Sequence, residues 1–420
     1  MKHIEKNIKE GIKLHILDTP KFKTNIVAIF LTTKLEKETV TKNALISAIL
    51  RRGTESLKNQ EEISKKLEDL YGATFDCGVD KTGDNQVLKF YIESVNDEFL
   101  PQKEEGVLKP SIETLCEIVF NPLIENNGFK LQYLEEEKEN MNQRIQGKAD
   151  NKARYALERC IEEMYKNKPF GLYKFGNIED LENINEKNLY EQYKKLINDC
   201  KIDIFISGNI DEEIVNVVEK NKSIINLNAR QPIYNKENSK VTTKRGEVIE
   251  KAEVQQGKLV IGLDVNSEDE EEKYKVLVYN NILGGSANSK IFQNVREKAN
   301  LAYVASSRYL RYKDNIFINC GIEIANYEKA VDLIKEQISE MKNGNFTEED
   351  LQNAKKSIIA VVNTIEDEQD TGIAYYFGQE MSEKATSVEE YISKIEKINK
   401  EEVLKVANKI EINTIYFLRD

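Results

Sequence analysis

Apolar and polar positions along the chain switch between helical spacing and alternation, and each switch marks an element. Ile63, Leu67, Leu70 and Tyr71 predict a helix over Asn59–Tyr71, opened by an Asn59/Glu62 capping box and closed at Gly72. Thr74–Gly78 and Val87–Ile92 read as the strands that follow, with Lys81–Asn85 as a polar turn between them. A later stretch repeats the plan. Ile282-Leu283-Gly284-Gly285 leads into Ser289–Tyr303, where Ile291, Phe292 and Val295 predict a short amphipathic helix opening at Asn288 or Ser289. Ala299 and Asn300 break it, and Leu301–Ala305 reads as the buried start of a strand. The turn Arg311–Asn315 and the strand Ile316–Ile322 complete the copy.

Further echoes keep the same order. Ile49-Leu50-Arg51-Arg52-Gly53 aligns with Ile282-Leu283-Gly284-Gly285-Ser286 at an offset of 233 residues. Asn127-Gly128-Phe129 and Asn343-Gly344-Asn345-Phe346 each lead into a charged helix with a lysine nine residues after the Phe, Lys138 and Lys355. Asn-Gly pairs are ordinary turn residues, but an ordered series of echoes indicates duplication. The expected organisation is α+β: two homologous halves, each an antiparallel sheet with helices packed on one face. The first half spans 1–225, with a helical region at Asn188–Ile197 and a strand at Ile202–Ser207; 226–246 is a polar linker; the second spans 247–420, opening on the strand Lys258–Leu263 and ending on Thr414–Leu418.

Composition narrows the chemistry. A net charge of −12 argues against nucleic acid or an anionic membrane as partner, and no apolar run reaches transmembrane length. Five cysteines without a C-x-x-C argue against a disulfide scaffold and suggest a cytoplasmic protein, and the charged N-terminus does not resemble a signal peptide. No phosphate-binding glycine loop is present. The only two histidines, His3 and His15, lie twelve residues apart with no pairing at ligand spacing, so the expectation is no metal, no cofactor and no histidine chemistry. Tyr375-Tyr376-Phe377 reads as core or partner interface rather than a base-stacking platform. Arg296 and Tyr303 fall on either side of the helix–strand turn, where a guanidinium and a phenol suit a peptide carbonyl. The plainer reading is a surface Arg296–Glu297 pair and a tyrosine half-buried in a sheet.

The run Arg296-Glu297-Lys298-Ala299-Asn300-Leu301-Ala302-Tyr303 resembles the second domain of the M16 (pitrilysin/mitochondrial processing peptidase-like, insulinase) metallopeptidases. Gly11-Ile12-Lys13-Leu14, Asn121-Pro122 and Phe346-Thr347-Glu348-Glu349-Asp350-Leu351 extend the resemblance over nearly the whole chain, closest to the short bacterial YmfF-like subgroup. It implies the M16 (LuxS/MPP-like) fold. In that family a His-x-x-Glu-His helix precedes the first Gly-Thr. Anchored on Arg52-Gly53-Thr54, its ligand and base positions fall on Ala44, Ser47 and Ala48, none of which ligates zinc. The distal glutamate falls near Arg144, with Glu137 and Glu139 as neighbours. The resemblance therefore implies a pseudopeptidase without zinc that keeps the family's peptide-holding Arg296 and Tyr303. Gly284 and Gly285 would form a substrate-touching loop, although a close helix–strand turn explains two glycines equally well. The partner implied is an M16 subunit with an intact His-x-x-Glu-His, activity arising only in that pair, with a homodimer when the chain is alone; the alternative is a peptide- or partner-binding scaffold with no proteolytic role.

Overall fold

In the computed structural model, residues 1–100, 106–211, 213–241, 243–382 and 385–420 are described, so one position of the expected linker, 242, lies outside them. The chain divides into two units. One comprises Met1–Gln146, Leu172–Glu237 and Ile365–Lys384, the other Gly147–Gly171, Asn238–Thr364 and Ala385–Asp420. The units thus do not follow the sequence halves, because each takes in a short segment from the other half.

The first unit is built on β1 (Lys2–Lys9), β2 (Ile12–Asp18), β3 (Thr24–Lys34), β4 (Thr74–Thr82), β5 (Asn85–Val95) and β6 (Lys201–Gly208), in the spatial order β1-β2-β6-β3-β5-β4. Strand β3 is buried from Asn25 to Thr32 around the unbroken apolar run Ile26–Leu31, and β6 is buried at every position, the pattern of central strands covered on both faces. Leu14, Ile29, Phe90 and Ile204 point to the main core, where they meet helices α1 (Val40–Ile49), α3 (Leu108–Phe120) and α6 (Glu186–Asp199). The first unit also holds α2 (Gln60–Asp69) and α4 (Leu131–Gln146). Asn59 caps α2 by accepting from the Glu62 N–H at 2.9 Å, while the Glu62 carboxylate reaches back to the Lys58 N–H at 2.7 Å. Tyr71, expected on the apolar face, is exposed and takes a left-handed φ of 57° ahead of Gly72.

The second unit uses α5 (Lys152–Met164), β7 (Gly246–Lys251), β8 (Gly257–Asp264), α7 (Glu270–Asn280), β9 (Ala302–Leu310), β10 (Asn315–Ile322), α8 (Tyr327–Lys342), α9 (Glu348–Asn363), and, after α10 (Gln369–Met381), α11 (Val388–Lys397), α12 (Lys400–Ala407) and β11 (Glu411–Arg419). Its strands run β7-β11-β8-β10-β9. This is the order β2-β6-β3-β5-β4 of the first unit, with β1 as the strand that has no counterpart among the described residues. The two echoed lysines also share a role. Lys138 Nζ donates to Ile184 O at 3.2 Å and Lys355 Nζ to Glu396 O at 2.9 Å, each tying a long helix to the approach of a later one.

The architecture differs from the expected one in two details. Each sheet contains one parallel pair, β2 with β6 and β11 with β7, because a helical crossover brings the last strand of each repeat back alongside the equivalent early strands β2 and β7. Helices also cover both faces. The second face of each sheet carries large side chains that the repeat's own helices leave exposed, and a helix from the other half of the sequence covers them. Helix α10 sets Phe377 against Phe30 and Phe205, with ring centroids at 4.9 and 6.4 Å. Helix α5 packs Cys160, Ile161 and Met164 with Val260, Phe317, Tyr416 and Leu418. Glu250 on β7 holds α5 further, accepting from the Tyr155 hydroxyl at 2.6 Å and Arg159 Nε at 2.9 Å. The Tyr376 and Phe377 pair is accordingly core, in the first unit rather than the second. No helix among the described residues is long and apolar enough to cross a membrane.

Phe377→Ala removes a ring that is 4% exposed. It should lower stability by about 3–5 kcal/mol, the usual range for a buried aromatic truncation. Urea unfolding followed by circular dichroism measures this, and a loss below about 1 kcal/mol would mean that α10 does not carry the packing of this face.

Candidate functional site

Helix α1 bears the positions where the resemblance places a metal motif. Ala44 and Ser47 are 1% and 3% exposed, and Ala48 packs half-buried at the core's edge. Two methyl groups offer no lone pair. The Ser47 hydroxyl donates to Gly78 O at 3.4 Å and also lies by the Cys77 thiol, which burial pushes upward, keeping it protonated and a poor ligand. On α4, Glu137 is buried and accepts from Arg52 Nε at 2.5 Å, with Glu136 3.1 Å from the same guanidinium. Glu139 accepts from Gln143 at 2.9 Å, and Arg144 stacks over Phe175 at 5.2 Å. Carboxylates already paired with Arg52 and Gln143, facing alanines, do not fit a zinc ion.

The second candidate region is wound in an unusual way. Asn281–Gly285 and Phe292–Lys298 are π-helical turns, a widened geometry that often occurs at functional sites; the second falls where the spacing predicted an amphipathic helix, the first where a glycine loop or close turn was expected. The second turn closes through the Ala299 and Leu301 N–H groups on Asn294 O and Val295 O, at 3.1 and 3.0 Å. Asn300 takes a left-handed φ of 52° to leave it. Strand β9 then begins on a bulge: Ala302 pairs with Ile322 and Val304 with Gly321, so Tyr303 has no partner residue across the ladder. The bulge puts Tyr303 and Val304 on the surface, 70% and 59% exposed, where the run Leu301–Ala305 read as the buried start of a strand.

Arg296, at the end of the π turn, lies 4.6 Å over the Phe292 ring and 3.5 Å from Glu297, with its side chain 40% exposed. No hydrogen bond joins Arg296 to Tyr303; each presents its donor to solvent. Gly284 is buried. A Cβ there would come within 2.9 Å of the Ser307 backbone N and 2.8 Å of its Cβ, so its missing side chain serves close packing of the first π turn on β9. Gly285 is exposed at the end of that turn.

Sequence spacing missed a third cluster. The β1–β2 hairpin, turning at Glu10 and Gly11 (φ 79°), pairs Glu5 with His15 and places His3 on the neighbouring diagonal of the same face. The two histidines, expected to be isolated, therefore meet: His3 Nε2 lies 3.2 Å from His15 Nδ1. His15 is fully buried and stacks on Phe205, with its Nε2 3.2 Å from Asp203 Oδ1. Lys201 also pairs with Asp203 and lies 3.0 Å from Glu380 of α10, and Lys13 lies 2.7 Å from Glu380 and 3.6 Å from Glu5. Burial works against the Asp203 charge, but Lys201 and His15 overcome it and hold the carboxyl below its usual range. A hairpin turn at Glu10-Gly11 with like-facing positions on both arms was the available signal.

Comparison with known proteins places the chain. The Peptidase M16 inactive domain model matches residues 183–358. Over 414 residues the chain is 34% identical to the probable inactive metalloprotease YmfF of Bacillus subtilis, covering 97% of this chain and 96% of that protein. The chain belongs to the M16 peptidase family. The uncharacterized zinc protease YmxG of B. subtilis is 22% identical over 83% of this chain and 81% of its own length. Among solved structures, a conserved protein from Enterococcus faecalis superimposes with a TM-score of 0.86 at 25% identity, covering 100% of this chain and 99% of its own. The M16 inactive-domain structure from Pseudomonas fluorescens shares the fold at a TM-score of 0.78 and 16% identity, covering 100% and 98%.

Burial, reinforced by the neighbouring His15, lowers the His3 imidazole from 6.5 to about 4. The folded state therefore disfavours a proton that the unfolded chain accepts. The resulting stability is full above pH 6.5 and is lost as pH falls toward 4. Melting temperatures across this window should fall less for His3→Gln than for the parent chain; parallel curves would refute the assignment.

Proposed function

We propose that this M16 protein is proteolytically inactive alone and serves, in the cytoplasm, as the non-catalytic subunit of a two-chain M16 peptidase, free of catalytic zinc. Its role there is to present Arg296 and Tyr303 to the peptide, with exposed Gly285 at the rim. The observation that carries this reading is the bulge at Tyr303: it turns a phenol outward beside a π-helical turn ending in an exposed guanidinium, in a chain whose α1 has only Ala44, Ser47 and Ala48 where a metal would sit. Packing alone gives no reason to expose a tyrosine in this way. Both groups donate hydrogen bonds, the requirement for holding a peptide carbonyl as negative charge develops on its oxygen. The curated relative's description as a probable inactive metalloprotease agrees with this reading.

Mixing the purified chain with an M16 chain from the same cell that bears an intact His-x-x-Glu-His should give a stable one-to-one complex with peptidase activity neither chain shows alone. Arg296→Ala and Tyr303→Phe should leave assembly unchanged and lower turnover by about 10²-fold, as removal of an oxyanion donor does. Formation of a self-dimer, with no complex and no activity, would replace this reading with a peptide- or partner-binding scaffold.

A further inference from the structure

We propose that His3, Glu5 and His15 form a site for a divalent transition-metal ion, zinc by preference, on the hairpin that the second repeat lacks. One ligand atom from each of the three side chains lies within 4.8 Å of the others. The His3 Nε2 to His15 Nδ1 separation of 3.2 Å and the His3 Nε2 to Glu5 Oε1 separation of 3.8 Å bracket the spacing two donors adopt on one ion. Two nitrogens each about 2.0–2.1 Å from a tetrahedral zinc lie roughly 3.3–3.4 Å apart. Two imidazoles and one carboxylate are a donor set that zinc accepts, and the exposed Glu5 edge leaves the fourth position to solvent.

A second observation comes from behind the ligands. His15 Nε2 is held by Asp203, the outer carboxylate that fixes the tautomer of a ligating imidazole and aims the Nδ1 lone pair forward. Asp203 is fully buried, and its Oδ2 has no hydrogen-bond partner. The groups facing the site are Glu5 from β1, Lys13 from β2, Lys201 and Asp203 from β6, and Glu380 from α10. Three carboxylates thus stand against two ammoniums, with a buried carboxylate oxygen uncompensated, and a cation on His15 supplies the missing charge. Without the ion the two rings share one hydrogen bond, His3 Nε2–H donating to His15 Nδ1. Ligation moves that proton to His3 Nδ1, so no net proton is released.

The site is separate from the place on α1 where the family resemblance puts its zinc, and it pins an edge strand rather than serving a reaction. Lys13 opposes it. Its ammonium lies 3.6 Å from the Glu5 carboxylate and repels a cation there.

Cobalt(II) is the probe, because its visible absorption reports tetrahedral coordination and separates imidazole from thiolate ligands. The full chain, stripped by chelator, should take up one equivalent of Co2+ with a tetrahedral band and no thiolate charge-transfer band, and Zn2+ should displace it. His3→Ala, at a half-buried position, should fold with the parent's circular dichroism and weaken binding at least about tenfold. Glu5→Gln should also weaken it, and Lys13→Gln should strengthen it. Added Zn2+ should raise the melting temperature of the parent and not of His3→Ala. If parent and His3→Ala titrate alike, or the parent binds no Co2+, the pair is only a hydrogen-bonded histidine couple and the site does not exist.

Discussion

Each sheet in this protein has two faces to bury, and the sequence repeat that builds the sheet supplies helices for only one. Everything else depends on how the second face is covered. In the first unit that face holds Phe30, Phe205 and His15 beside Lys201 and Asp203, a mixture that water would separate if it were left open. Helix α10 closes it with Tyr376, Phe377 and Glu380, joining ring contacts to ion pairs with Lys13 and Lys201. Helix α5 does the same for the second unit through an apolar cluster and the Glu250 hub. Neither half of the sequence contains a complete unit.

That requirement gives α1 a packing role that needs no metal ligand on it. Helix α1 is retained for its packing, since Ala44, Leu45 and Ile49 lie in the main core. Small residues at 44 and 48 let the helix approach its neighbours closely, and Arg52 takes up the carboxylates of α4. The opposite holds at the π turns of the second repeat. Wide turns and a bulge are poorer packing solutions than regular α-helix and strand, and here they hold Tyr303 and Arg296 at the surface.

The polar cluster of the first unit shows how a sheet creates relations that chain distance hides. His3 and His15 are twelve residues apart, Asp203 and Glu380 lie in distant segments, and all four belong to one partly buried network. Its interior position makes each charge depend on the others: burial alone opposes ionisation of both Asp203 and Glu380, and the lysines overcome it in each case.

By itself the sequence determined the duplication, the α+β class, seven of the eleven sheet strands (β4, β5, β6, β8, β9, β10 and β11) and the absence of ligands on α1. Those are set by local periodicity, turn residues and the side-chain chemistry of single positions, and the nine-residue spacing to Lys138 and Lys355 even marked equivalent hydrogen bonds. Only the tertiary structure decided that α5 and α10 complete the opposite units, because an amphipathic helix records that it needs an apolar partner and not which one. It also decided the parallel pairings, the outward turn of Tyr303 and the meeting of the two histidines. Each of these depends on register: a bulge of one residue reverses which side of a strand faces water, and a hairpin makes neighbours of residues that are remote along the chain.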